Sequence, residues 1–468
     1  MKNVLLLTNR DSDNCGDQLM EACDISLMHT IMKNLGYSRD DYELRSRAAA
    51  FVSRKCVETH DPELIAKAEE VIREADVVVF GGAPMFNYTY QIFYERTSMI
   101  VDLAQKWNIP VIFSAVGVEQ FDESDERARR IKNALNQPCV KMITTRDGIK
   151  LLEKIKDRPD LKIGKVSDPA VFADRIMEKF DRRRSSGNVK DMSADETLPG
   201  KKIGVFVLRA NGFISNGYPF SPYQAAHFWV DLARELETRG YDYEFLTSGH
   251  FGDEAMLDAL IRDYGIPESK CLFAMNTPEV LTEKISGYDG IVSCRLHPSI
   301  VAYAFGIPAV GIVWNAKVPG FYEGMGYSSR AIDASAMTAK SVMDALEKAM
   351  DEGVVKDPEY MTPIYTTLFD AMKESIGEKE GSPERSAYSY DELVAALEPF
   401  EGTDEEEKQR KLIRKFRRTY MNYNKVSERL REEQRWKEKL REKVPYTLYS
   451  SCVKVYKKAF KHTASERK

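Results

Sequence analysis

Short apolar runs alternate along this chain with longer amphipathic stretches; the alternation stops once and then restarts. Residues 4–8 read as a buried strand, followed by a polar loop over 9–17 and an amphipathic helix to about Leu35. Gly16 permits the turn before that helix, and Asp17 is placed to cap it. Helices are then predicted over 62–74, 92–107, 122–135 and 146–155, with strands over 76–80, 111–115 and 140–144 between them. Strands alternating with helices of this length argue for βαβ units and a parallel sheet. Residues 181–202 are polar, rich in Ser, Gly and Lys, and aperiodic, which is the composition of a linker. The pattern resumes with strands at 203–208 and 243–247 and helices at 222–239, 254–263, 278–286 and 341–350. The expected architecture is therefore α/β. Two Rossmann-like doubly wound domains, 1–180 and 203–355, face a cleft, and a helical return segment over 356–400 packs across both. A charged helical extension over 401–468 follows.

Within the second domain, residues 289–326 read as strand, polar turn, helix, strand and polar turn. Ser293, Cys294, Arg295, Leu296 and His297 stand at the carboxyl end of the first of these strands, and Pro298 suits the first turn of the helix. Gly306 ends the helix, 307–313 form the next strand, and Lys317 lies in the loop beyond. Ligands of open parallel sheets bind outside the carboxyl ends of strands, at helix N-termini. Arg295, His297 and Lys317 would share one rim, joined by Arg209 at the end of the domain's first strand. Alone, Arg209 reads equally as a rim ion pair or as a clamp on phosphate or carboxylate. Four cationic or titratable groups together point to an anion site.

Across the cleft, Asn14 and Asp17 either contact sugar hydroxyls, with Asp17 open to a role as base, or simply start a helix. Gly81-Gly82 either lets backbone approach a ligand or turns the chain tightly. Other chemistries lose support. G-x-G-x-x-G, G-x-x-x-x-G-K-[ST] and G-x-S-x-G are all absent. Cys56 and His60 have no second pair to complete a zinc site. Asp11-Ser12-Asp13 sits in a first-strand loop, the wrong context for a metal-binding DxD, so no metal is expected.

Charge changes the picture in one place. The net charge of −5 gives no reason to expect nucleic acid, but residues 401–468 carry 21 Lys and Arg against 11 Asp and Glu. After Pro445, Tyr446, Tyr449, Val453, Tyr456 and Phe460 recur at helical spacing, with Lys454, Lys457, Lys458 and Lys461 at other positions. Residues 446–461 thus read as a short helix lying on an anionic membrane surface, or docked on the protein itself or on a second subunit. Seven scattered cysteines fit a reduced compartment. With neither a signal peptide nor a membrane span, the expected location is cytoplasmic, at the inner face of the membrane if the tail binds lipid.

Taken in order, Asn14-x-Gly16-Asp17, Gly81-Gly82, Arg146-Asp147, Asp168-Pro169-Ala170, Ser293-Cys294-Arg295-Leu296-His297, Ala302, Gly306-Ile307-Pro308 and Lys317-Val318-Pro319-Gly320-Phe321 resemble the landmarks of the polysaccharide pyruvyl transferase family. The resemblance covers about residues 1–350. Two glycines of its pattern are replaced, by Ala83 and Ala115. It implies a fold like that of the two-domain (GT-B) glycosyltransferases. The implied reaction moves pyruvate from phosphoenolpyruvate, as co-substrate, onto a sugar diol of a glycan or lipid-linked glycan as a ketal, with release of phosphate. In that scheme His297 is the candidate acid, and Arg295 is catalytic beside it. Arg209, Arg295, His297, Lys317 and Ser293 bind the donor, while Asn14, Gly16, Asp17, Gly81 and Gly82 face the acceptor. Domain closure completes the site. Two rivals remain at this level: a nucleotide-sugar glycosyltransferase of the same architecture, and a non-catalytic glycan-binding relative.

Overall fold

The computed structural model describes residues 1–88, 92–118, 120–185, 201–218, 220–273 and 275–443. Two parallel sheets dominate it. The first contains β1 (Lys2–Thr8), β2 (Tyr42–Ala48), β3 (Val77–Gly81), β4 (Val111–Val116), β5 (Val140–Thr145) and β6 (Lys162–Lys165), in the order β2-β1-β3-β4-β5-β6. The second contains β7 (Lys202–Phe206), β8 (Asp242–Leu246), β9 (Gly290–Ser293), β10 (Ala309–Val313) and β11 (Ala331–Asp333), in the order β11-β10-β9-β7-β8. Every strand pair is parallel. The central strands are continuous apolar runs because helices cover both of their faces; Val4 to Leu7 and Val77 to Gly81 are wholly buried.

The order in which strands are added reverses between β1 and β3 in one sheet and between β7 and β9 in the other. These switch points open crevices at the carboxyl edges, where parallel sheets bind ligands. Six helices matter for what lies there: α1 (Cys15–Asn34), α2 (Phe251–Tyr264), α3 (Leu296–Ala304), α4 (Lys317–Gly324), α5 (Pro363–Ile376) and α6 (Glu405–Lys443).

α1 is buried nearly all round because it is enclosed on every side. The first sheet lies on one flank, and the chain returning from the second sheet covers another. Asn34 donates to Tyr365 Oη at 2.8 Å, and Ser26 donates to the Glu398 carbonyl at 2.7 Å. One apolar cluster runs from Val4 and Leu6 through Leu19, Leu27 and Ile31 to Phe206, Ile291, Ile300 and Leu368. The two sheets therefore share a core beneath their facing edges.

The return segment packs with the first sheet and α1, and α6 continues across the junction. No helix among the described residues is long and apolar enough to cross a membrane. The amphipathic segment expected at 446–461 lies outside the described residues.

Several expected boundaries move. β2, β6 and β11 have no counterpart in the periodicity, because these edge strands expose one face and read as polar, for example Tyr-Glu-Leu-Arg-Ser-Arg-Ala in β2. Lys317 opens a helix and is not in a loop; its N–H is held by Asn315 Oδ1 at 3.1 Å.

Candidate active site at the domain junction

The loop after β1 meets the loop after β8 directly. Cys15 N–H donates to the Ser248 carbonyl at 2.7 Å, and Cys15 Sγ donates to the Met275 carbonyl at 2.7 Å. Burial pushes the Cys15 thiol up to about 12, so it acts as a neutral donor. These bonds set where α1 begins. The helix cap is Asn14, whose side chain accepts from Gly16 N–H at 3.2 Å; the expectation that Asp17 caps it is corrected. Asp17 lies in the first turn instead, accepting from Asn9 Nδ2 at 2.8 Å.

Opposite this helix start stands the start of α3, with Arg295 at its N-cap position and His297 in its first turn. The imidazole of His297 rests on Gly16. A side chain built on Gly16 would overlap the ring, so only glycine admits this approach. His297 is 6% exposed and its Nε2 has no hydrogen-bond partner within the protein. Burial lowers its pKa; Asp168 and Asp17 oppose that shift, and the neighbouring Arg146 and Lys317 add to it. The ring is neutral as it stands.

Arg146 and Asp168 form a buried ion pair beside it. Asp168 Oδ1 accepts from Ala170 N–H at 2.9 Å, which holds the carboxylate in place. Beyond Arg146, Asp147 Oδ1 accepts from Val118 N–H at 2.7 Å, Gly148 N–H at 2.7 Å and Thr145 Oγ1 at 3.2 Å. Lys317 reaches across from the second sheet. A Cβ built on Gly117 would lie 3.4 Å from both Lys317 Nζ and Asp147 Oδ2. Along this edge, Thr8 Oγ1, Ser114 Oγ, Arg146 Nε, Asp147 Oδ2 and His297 Nε2 are all buried without a protein partner. Such a concentration is the mark of a polar ligand site.

The expected cationic rim is thus divided in two. His297 and Lys317 join Arg146. Arg295 and Arg209 instead converge on Asp253, a fully buried residue in the first turn of α2. Arg295 donates to Asp253 Oδ2 from Nη2 at 2.5 Å and from Nε at 2.8 Å, and its guanidinium lies 5.5 Å from the Trp314 ring centroid. Arg209 Nη1 lies 3.7 Å from Asp253 Oδ1 and 2.7 Å from His250 Nδ1. Burial, with Arg295 and Arg209 alongside, pulls His250 down to about 4, leaving its Nδ1 free to accept. Ser293 donates to the Arg295 carbonyl at 2.6 Å and shapes the turn that presents the motif.

Gly81 and Gly82 line the switch crevice of the first sheet. Gly81 leaves room for the Asp24 carboxyl, whose pKa burial pushes well up, and Gly82 has a φ of +53°. The two alanines that follow them in the cleft keep the glycine conformation, Ala83 at φ +44° and Ala115 at +51°. The Ala83 carbonyl accepts from Gly117 N–H at 2.9 Å, so the bent backbone forms the floor beside Lys317.

Arg146, Asp147, Asp168 and Asp253 were given no site role by sequence reasoning, although Arg146-Asp147 and Asp168 stood among the family landmarks. Two adjacent charges directly after the strand at 140–144 were the available signal for the first two. For Asp253, placed in an ordinary helix start, no such signal exists.

Comparison with solved structures supports the two-sheet architecture. The UDP-GlcNAc 2-epimerase of Methanocaldococcus jannaschii aligns with a TM-score of 0.50 at 13% identity, covering 80% of this chain and 100% of that one. The corresponding enzyme of Neisseria meningitidis aligns at 0.49 and 9% identity, over 80% and 100% of the two chains. The ADP-heptose LPS heptosyltransferase II of Escherichia coli aligns at 0.35 and 15%, over 75% and 99%. The two parallel sheets, with the first of these alignments, give a GT-B-like fold. No curated protein matches the chain in sequence. The family model for polysaccharide pyruvyl transferase matches residues 14–315, a span that opens on the Asn14 cap and closes just before Lys317. With both the matched span and the facing switch points accounted for, the chain belongs to the polysaccharide pyruvyl transferase family.

Proposed function

We propose that this chain transfers pyruvate from phosphoenolpyruvate to a sugar diol, forming a ketal and releasing phosphate. The observation that carries this reading is the buried, unpartnered Nε2 of His297, set between Arg146 and Lys317 at the junction of the two sheets. The donor carries a phosphate and a carboxylate close together, and His297, Arg146 and Lys317 are groups suited to both. Charge-assisted hydrogen bonds contribute about 1.5–3 kcal/mol each, so three suffice for roughly millimolar to micromolar affinity. Arg209, Arg295 and Ser293 form the outer donor side, where the Asp253-bound guanidiniums keep residual donors. Asn14, Gly16, Asp17, Gly81 and Gly82 form the acceptor side.

His297 protonates the methylene of the donor, and the adjacent carbon becomes electrophilic. One sugar hydroxyl adds there. The carbon–oxygen bond to phosphate then breaks, the pair leaving with phosphate, and the second hydroxyl closes the ketal. Of the two hydroxyl protons, one restores His297 and the other leaves on phosphate. Cationic groups around the donor stabilise the departing phosphate charge. The acceptor is a glycan of the cell surface, free or lipid-linked, which suits a protein working at the cytoplasmic face of the membrane with 446–461 as its contact.

Incubation with phosphoenolpyruvate and a panel of free and lipid-linked sugars should release phosphate and produce a new ketal methyl signal by NMR. Turnover of a nucleotide sugar, with neither product from phosphoenolpyruvate, would overturn the reading. His297→Ala should abolish turnover while donor binding persists; loss of folding would instead mark His297 as structural.

A further inference from the structure

Ketal formation requires a group that takes the proton of the attacking hydroxyl, and the carboxylates at the junction can be sorted by what already holds them. Asp11 pairs with Arg414 and Asp13 with Arg418 at 2.9 Å. Glu21 takes Arg10 at 3.3 Å and Ser46, and Glu254 takes Lys415 at 2.6 Å. Asp168 is engaged through both oxygens, by Arg146 and Ala170 N–H, and Asp253 through both, by Arg209 and Arg295. Asp17 Oδ2 is held by Asn9. Asp24 Oδ2 is also buried without a partner, but burial pushes its pKa well up and it fills the space beside Gly81.

Asp147 differs in where its open oxygen lies: beside Lys317 Nζ, at the gap over Gly117. Three donors fix its Oδ1, while its Oδ2 is buried without a partner. That oxygen faces Gly117, with Lys317 Nζ on the same side and the Pro84 Cα 3.5 Å from the same point. The space left by the missing Gly117 side chain accommodates one small group in ordinary van der Waals contact.

We propose that Asp147 Oδ2 is the general base of the transfer, and that the attacking hydroxyl of the acceptor occupies the space Gly117 leaves open. The inference rests on the phosphoenolpyruvate reading above. In the step it describes, the sugar O–H bond breaks and its proton passes to Oδ2, which later hands it to the departing phosphate and is ready again. The oxygen pair forms the bond to the donor carbon that His297 has made electrophilic, and phosphate later leaves with the pair of its own carbon–oxygen bond. The three Oδ1 donors orient the carboxylate in advance, so no rearrangement is needed at the moment of attack.

Two variants test this in the full chain. Asp147→Asn keeps an Oδ1 acceptor for the same three donors and should fold. Its kcat should fall roughly 10²–10⁴-fold, with phosphoenolpyruvate affinity within about twofold of the parent, and formate should restore part of the rate to Asp147→Ala. Gly117→Ala adds one methyl where no overlap results. It should raise the acceptor KM on the order of tenfold or more and leave donor affinity alone. An active parent with an unchanged Asp147→Asn variant overturns the assignment. So does loss of donor binding in that variant, or failure of formate to restore any rate, since either marks Asp147 as a positioning residue for Lys317 or Arg146. A parent silent toward phosphoenolpyruvate and every acceptor overturns the donor reading itself, and the base with it.

Discussion

The imidazole of His297 sits where its charge state depends on what arrives. Burial and two neighbouring cations hold it neutral, so an approaching phosphate or carboxylate reverses the local balance and raises its pKa. Donor binding near pH 7 should therefore take up close to one proton, and affinity should weaken as pH rises through the bound-state pKa. Calorimetric titration with phosphoenolpyruvate in buffers of different ionisation enthalpy measures the uptake directly; His297→Gln should abolish it. A different residue-scale outcome concerns Ala83 and Ala115. Left-handed backbone costs a non-glycine residue about 1–2 kcal/mol, partly offset by the added chain entropy of glycine. Ala83→Gly and Ala115→Gly should each raise denaturant stability by up to about 1 kcal/mol. A loss of stability in either would show that the buried methyl makes contacts worth more than the strain.

At the scale of elements, α6 behaves as a strap. Lys411 donates to Gln18 at 2.9 Å, Arg414 pairs with Asp11, and Arg418 reaches the Asp11 carbonyl at 2.8 Å and Asp13. The same helix turns bind the other half of the molecule, through Lys415 to Glu254 and to Asn276 at 3.0 Å, and Lys408 to Glu279 at 3.7 Å. Isolated exposed pairs contribute at most about 1 kcal/mol, so the effect lies in their number and in the span they bridge. Replacing Lys411, Arg414, Lys415 and Arg418 together by Ala should speed amide exchange in residues 9–15 and 248–250 several-fold. Raising salt should move the parent in the same direction. Unchanged exchange would mean that the apolar core beneath holds the junction without the strap.

Helices with strong local signals were legible in advance. Pro278–Ser286 matches its expected bounds, and Pro222–Thr238 differs by one residue, because proline and polar caps mark helix starts locally. The docked face of α6 was not legible. A run of alternating charges looks solvated until the acidic loops that receive it are known.

For the whole molecule, the same distinction governs the site. The meeting of His297 and Lys317 at the junction could be foreseen because they follow apolar strands at the edge where parallel sheets bind ligands. Arg146 and Asp147 also follow such a strand, yet their part becomes visible only when the second sheet brings Lys317 and His297 against them. Arg295 and Arg209 show the converse. Their positions were foreseen at the rim, but the carboxylate that gathers them comes from a helix start with no distinguishing pattern. Fold class follows from periodicity, which is local; the sorting of charges into pairs follows from packing, which is not.

The return of α5 onto α1 has a consequence for how the protein is made. Asn34 and Ser26 wait for Tyr365 and Glu398, so the first sheet's cover is synthesised more than 300 residues after the helix it shields. At the usual elongation rate of roughly 5–20 residues per second, that interval is on the order of 15–70 s. Throughout it, the apolar flank of α1 leaves the ribosome without its partner, exposed to chaperones and to other nascent chains. A fragment of residues 1–185 should accordingly aggregate when expressed alone, and co-expression of residues 356–443 should return it to the soluble fraction. Soluble, cooperatively folding 1–185 would mean that the later segment merely decorates a finished domain. Under the expected outcome the first domain is discontinuous in the gene, and its birth is complete only when nearly all of the chain has emerged.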